Sequence, residues 1–121
     1  MTAAFHNHDA EFKHSLDGQY VYDILLEELD PNLVKMQYQT QVITMGIKGS
    51  TYFNKFPGRF ISAHLQDYDK DSGNETVLGQ GISDWADFFN AAPTGGLEIV
   101  YVEMESNPGT LKDSVRYLKN L

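Results

Sequence analysis

The sequence predicts an α/β domain of four βα units with parallel strands, one domain spanning residues 1–121. Three observations predict it. Short apolar runs alternate with segments of helical periodicity, strand then helix, four times over. Strand centres recur every ~25 to 40 residues, the size of a βαβ unit. Each apolar run also has a polar face, and its polar residues gather toward the C-terminal end.

Ala3 to His8 is the first strand candidate. A strand beginning this early is unusual unless further elements precede it. Asp9 to Gln19 is polar, with a turn at Asp17-Gly18. Tyr20 to Leu29 reads as a helix, because Val21, Ile24, Leu25 and Leu29 form one stripe with Glu27 and Glu28 off it. Asp30-Pro31-Asn32 stops it. The second strand runs from Leu33 to Gln39 or Gln41, followed by a loop through Gly46 and Gly49 and a short helix over Ser50 to Phe56.

Pro57-Gly58 ends that helix and leads into the third strand, whose apolar body is Phe60, Ile61, Ala63 and Leu65. Asp67 to Gly81 reads as a long irregular segment. Ser83 is the expected N-cap of the next helix, with Asp84 in its first turn. That helix buries Trp85, Phe88, Phe89 and Ala92, and Pro93-Thr94-Gly95-Gly96 closes it. Leu97 to Val102 is the fourth strand. Pro108 opens the last helix, whose stripe is Leu111, Val115 and Leu118. Four such units are half of a (β/α)8 barrel, which typically needs about 250 residues.

A net charge of −8 with scattered Lys and Arg argues against nucleic acid and against anionic membrane. The absence of cysteine excludes disulfides, thiolate metal sites and a cysteine nucleophile. The N-terminus lacks a signal-peptide pattern, so a cytoplasmic location is the default expectation. Asp67, Asp69 and Asp71 imitate a calcium loop, but the glycine and the closing glutamate fall at the wrong positions. Gly79-Gln80-Gly81 lacks the rest of a dinucleotide fingerprint and reads as a turn.

Side chains alternate along a strand. His6 and His8 therefore share a face with Ala4, opposite Phe5. Gln37, Gln39 and Gln41 oppose Met36 and Tyr38. Ser62, His64 and Gln66 oppose Ile61, Ala63 and Leu65. Tyr101, Glu103 and Glu105 oppose Val100, Val102 and Met104. The apolar faces suit the helix stripes. The polar faces would line the interior at the strands' C-terminal rim, where such barrels carry their sites.

The segments His6-Asn7-His8-Asp9-Ala10-Glu11-Phe12, Tyr22 to Pro31, Phe56 to Phe60 with His64-Leu65-Gln66-Asp67, Gly79 to Trp85, Val102 to Glu105 and Ser114 to Leu118 resemble the sugar phosphate isomerase/epimerase family. That family belongs to the xylose isomerase-like TIM-barrel superfamily. The resemblance runs from about Phe5 to Leu121 and covers only the C-terminal half of such a barrel. It implies a half-barrel, completed by a second copy as a homodimer or by a missing N-terminal half.

The resemblance also implies a chemistry: metal-assisted proton transfer next to the carbonyl of a sugar, sugar phosphate or cyclitol. A divalent metal, Mn²⁺ or Mg²⁺ and possibly Zn²⁺, would use Glu11, Gln39, His64 and Glu103. Gln39 stands where an acid is usual, and an amide is a weak ligand for Mn²⁺ or Mg²⁺. Glu103, Glu105 and His6 would be the catalytic candidates. His8, Gln37, Gln41, Gln66 and Asp67 would hold the substrate's hydroxyls. The alternative is a non-catalytic truncated half-barrel with at most weak sugar binding.

Overall fold

The computed structural model describes all residues 1–121. Its elements are β1 (Ala3–His6), α1 (Ala10–Lys13), β2 (Ser15–Leu16), β3 (Gln19–Tyr20), α2 (Val21–Glu28) and β4 (Val34–Gln39). A 3-10 segment (Thr40–Met45) follows, then α3 (Gly49–Lys55), β5 (Phe60–Leu65), β6 (Asp67–Tyr68), β7 (Glu75–Thr76), α4 (Trp85–Gly95) and β8 (Ile99–Val102). A 3-10 turn (Pro108–Thr110) and α5 (Leu111–Lys119) complete the chain. The main sheet has the order β1-β4-β5-β8, and every pairing in it is parallel. Four strand-then-helix units are therefore present, as the alternation predicts, and β1 and β8 are its free edges.

The helices cover one side of this sheet. Tyr22 and Leu26 of α2, Tyr52 and Phe53 of α3, and Trp85 and Phe88 of α4 pack with Met36, Tyr38, Phe60, Ala63 and Leu65 in one core. Burying each large side chain stabilises the fold by ~1.5–3 kcal/mol. Arg59 is buried and donates to the carbonyls of Leu26, Leu29 and Val34. It satisfies the C-terminal end of α2, which has no basic residue of its own.

Several boundaries differ from expectation, each for a local reason. β4 ends at Gln39 because the Thr40 hydroxyl donates to the Gln66 carbonyl and accepts from the Gln66 amide. The chain then tightens into the 3-10 segment, which takes Gln41 off the strand. Phe60 and Ser62 share a parity, yet Phe60 enters the core and Ser62 bonds Gln37 on the opposite side. A register shift between Met36↔Phe60 and Gln37↔Ser62 reconciles the two. Helix α4 is capped by Asp84, whose side chain accepts from the Asp87 amide, and it runs through Pro93 to Gly95 before Gly96 ends it.

The segment Asp67 to Gly81 is not irregular throughout: β6 and β7 pair as an antiparallel hairpin within it. Asp67 organises the rest. Its carboxylate accepts from the amides of Tyr68, Gly79, Gly81 and Ser83 and from the Trp85 indole. At Gly81 a Cβ would lie 2.2 Å from an Asp67 oxygen, so only glycine lets the loop wrap the carboxylate this closely. No helix is long and apolar enough to cross a membrane.

Candidate functional site

The sheet face away from the helices carries two cross-strand hydrogen-bond chains. In the first, His6 Nδ1 lies 2.9 Å from Gln37 Oε1, and Gln37 Nε2 donates to Ser62 Oγ at 2.9 Å. In the second, Gln39 Nε2 and His64 Nδ1 each lie 2.7 Å from Glu103 Oε2. The register sets this up. His6 is level with Gln37, Gln37 with Ser62, and Gln39 with His64. The chains touch through the His6 and His64 rings, whose centroids are 4.8 Å apart edge to face, and His8 adds a ring 4.8 Å from His6.

These contacts fix the proton positions. Burial pushes the Glu103 carboxyl up, but hydrogen bonds from His64 and Gln39 outweigh it and hold the group below its ordinary value. An ionised carboxylate only accepts, so His64 Nδ1 carries a proton and donates it to Glu103 Oε2. The Gln37 amide oxygen imposes the same tautomer on His6. Burial and the neighbouring His64 and His8 lower the His6 pKa against the Gln37 bond, favouring a neutral ring. Glu105 is raised, chiefly by its hydrogen bond with Glu103 and then by burial. One carboxylate held low, one carboxyl raised and one imidazole favoured in its neutral form thus stand together at the strand ends.

His6, His8, Gln37, Gln39, His64, Glu103 and Glu105 are therefore brought together. Four predicted residues stand apart. Asp67 is wholly buried, with its carboxylate taken up by the loop it organises. Gln66 is buried and gives its amide to Glu75. In this structure both side chains are engaged within the fold instead of facing the other candidates. Gln41 leaves the strand, and its backbone amide meets Gln39 Oε1 at 3.4 Å. Glu11 accepts from the His8 backbone amide and so shapes the turn after β1.

Two contributors escaped sequence reasoning. Glu75, on β7, accepts from the backbone amides of Glu105, Ser106 and Asn107, the Ser106 hydroxyl and the Gln66 amide. Burial raises this carboxyl, but those donors hold it low. It anchors the backbone that presents Glu103 and Glu105. Tyr68 is pushed up to about 12 by burial and then by Glu75, Glu105 and Glu103, so its phenol stays protonated beside them. Neither shows a motif; each acts through a contact some 30 residues or more away in sequence.

His, Cys, Asp and Glu side chains form no ready-made group of three or more that could hold a metal. Imidazole nitrogens suit Zn²⁺ chemically better than Mg²⁺, but His6, His64 and Glu103 do not converge as a three-ligand group here.

No protein-family model and no curated protein matches the chain. Solved structures do. A crystal structure titled sugar phosphate isomerase/epimerase from Parabacteroides distasonis aligns with a TM-score of 0.81 at 24% identity, covering 98% of this chain and 45% of that one. A second structure of the same title and organism aligns with a TM-score of 0.76 at 20% identity over the same shares. The chain thus has the fold of these barrel proteins and spans less than half their length.

Proposed function

We propose that this sheet face is the half-site of an isomerase or epimerase acting on a sugar or sugar phosphate, and that it works only when the barrel is completed. The observation that carries the proposal is the Glu103–His64 pair with neutral His6 against it, at the C-terminal ends of parallel strands. Moving a proton next to a carbonyl needs a base of moderate pKa and a donor for the developing oxyanion. His64 Nε2, held in place by Glu103, supplies the base. Glu105, bonded to Glu103 and raised by it, is the candidate for returning the proton. Gln37 and His8 lie beside this pair, where they would orient hydroxyls. The likeness in fold to sugar phosphate isomerase/epimerase structures favours a sugar phosphate among carbonyl substrates.

Were a divalent metal bound at this face, His64 and Glu103 would hold it, the base role would pass to His6, and the metal would supply charge to polarise the substrate carbonyl.

The test is deuterium wash-in. The chain is incubated in D2O with a panel of ketose and aldose phosphates, with and without Mn²⁺ or Zn²⁺, and the C–H positions next to the carbonyl are followed by NMR. Exchange that His64→Ala and Glu103→Ala each reduce at least ~100-fold, the usual share of a general base, supports the proposal. No exchange in an assembly shown to be a closed barrel overturns it. The second reading, a folded but non-catalytic half-barrel, is favoured by one fact: the chain spans 45% of the neighbours' length.

A further inference from the structure

The two free edges of the sheet are flanked by helices of opposite charge. Edge strand β8 is followed by α5, and edge strand β1 leads through α1 and the β2–β3 hairpin into α2. Of the nine Lys and Arg residues in this acidic chain, three fall on α5: Lys112, Arg116 and Lys119. They line an open groove with Leu111 and Val115. Leu111 is 44% exposed, and Val115 lies outside the core cluster. Arg116 pairs with Asp113 of its own helix, while Lys112 and Lys119 have no carboxylate partner. On α2 the counterpart is acidic. Glu27 and Glu28 are exposed, next to Ile24, which is half-buried and outside the core cluster.

We infer that the partner completing the barrel is a second copy of this chain. Two copies related by a two-fold axis along the barrel would pair β8 of each with β1 of the other, giving eight parallel strands without an edge. Helix α5 extends the helical layer beyond β8, so closure sets it beside the partner copy's first crossover helix. The basic, half-apolar groove of one copy then meets the acidic, half-apolar flank of the other, twice per dimer. Ile99 and Tyr101 on β8, 49% and 47% exposed, are covered by the same closure. The inference rests on the half-site proposal only in taking the sheet as half of a closed barrel.

The test uses charge swaps with sedimentation velocity on the full chain. The unmodified chain is expected to be a dimer at micromolar concentration, weakening as salt rises. Lys112→Glu with Lys119→Glu, and separately Glu27→Lys with Glu28→Lys, are each expected to raise the dimer dissociation constant at least ~10-fold, as like charges replace opposite ones across the contact. Mixing the two variants should restore the dimer, because both contacts in the mixed pair are matched again. Circular dichroism checks that each variant folds, and rescue on mixing independently requires it.

A folded monomer at every concentration overturns the inference and assigns the edges to a different half-barrel. A dimer indifferent to both swaps overturns it too. A dimer that responds to the swaps but shows no deuterium wash-in leaves the inference standing and removes the isomerase proposal; a monomer that exchanges deuterium overturns the inference and the requirement for a completed barrel, while keeping the chemistry assigned to the strand ends.

Discussion

The most consequential single atom is Glu103 Oε2, which receives both His64 Nδ1 and Gln39 Nε2 at 2.7 Å. It decides which imidazole nitrogen is available for chemistry. Imidazole nitrogen shifts should show His64 protonated at Nδ1, and Glu103→Ala should release that tautomer. An unchanged tautomer would show that Glu103 does not position the ring. Acid stability follows from the same groups. His6, held below its ordinary 6.5, binds a proton more readily in the unfolded chain, so stability falls as pH drops below 6.5. Glu75 and Glu103, held below 4.5, contribute stability that is present above 4.5 and lost as pH falls through their folded values. Glu105 opposes this, because its raised carboxyl favours the fold when protonated. Denaturation midpoints measured against pH should decline in two limbs, and His6→Gln should flatten the upper one. Asp67 is the structural extreme. Asp67→Asn sets an NH2 group among five N–H donors, and a loss of about 3 kcal/mol is expected from urea unfolding.

At the scale of elements, periodicity located the strands and helices because burial repeats locally. The polar face of the sheet was legible for the same reason: His6, Gln37, Gln39 and His64 alternate with core residues. Strand parity says nothing past the ends of β4 and β5, where Gln41, Gln66 and Asp67 lie. A threonine bridge to Gln66 and the wrapped Asp67 carboxylate take over there, and such contacts have no period. The register shift at Met36/Gln37 is equally silent in sequence, since it depends on which face Phe60 can fill. Helix pairing adds a tighter constraint. A Cβ at Gly95 would lie 2.8 Å from the Phe53 ring, so α4 meets α3 at its most crowded point there. Gly95→Ala should cost about 1–3 kcal/mol through overpacking, read as a lowered denaturation midpoint. An unchanged midpoint would mean that Phe53 swings aside without loss.

At the scale of the molecule, the sheet is asymmetric in its dependence on a partner. Strands β4 and β5 have a neighbour on both sides, while β1 and β8 have one each. Half of the backbone groups along those two strands therefore face outward with no partner within the chain. A homodimer is one of two completions that the sequence implies, but the charge pattern that favours it is not legible there: Lys112, Arg116 and Lys119 look scattered along the chain, and become one face only on a helix at the sheet's edge. Amide exchange can separate the two states of those edges. Peptides covering β4 and β5 should be protected at all concentrations. Peptides covering β1 and β8 should exchange fast in dilute solution and slow several-fold as the chain is concentrated, in step with the rise in sedimenting mass. The Lys112→Glu and Lys119→Glu variant should keep the fast exchange at both edges without losing protection in β4 and β5. Edge exchange independent of concentration in a chain that sediments as a dimer would place the contact elsewhere on the surface. The barrel would then remain open, and the two imidazoles and Glu103 would stay in water instead of an enclosed site.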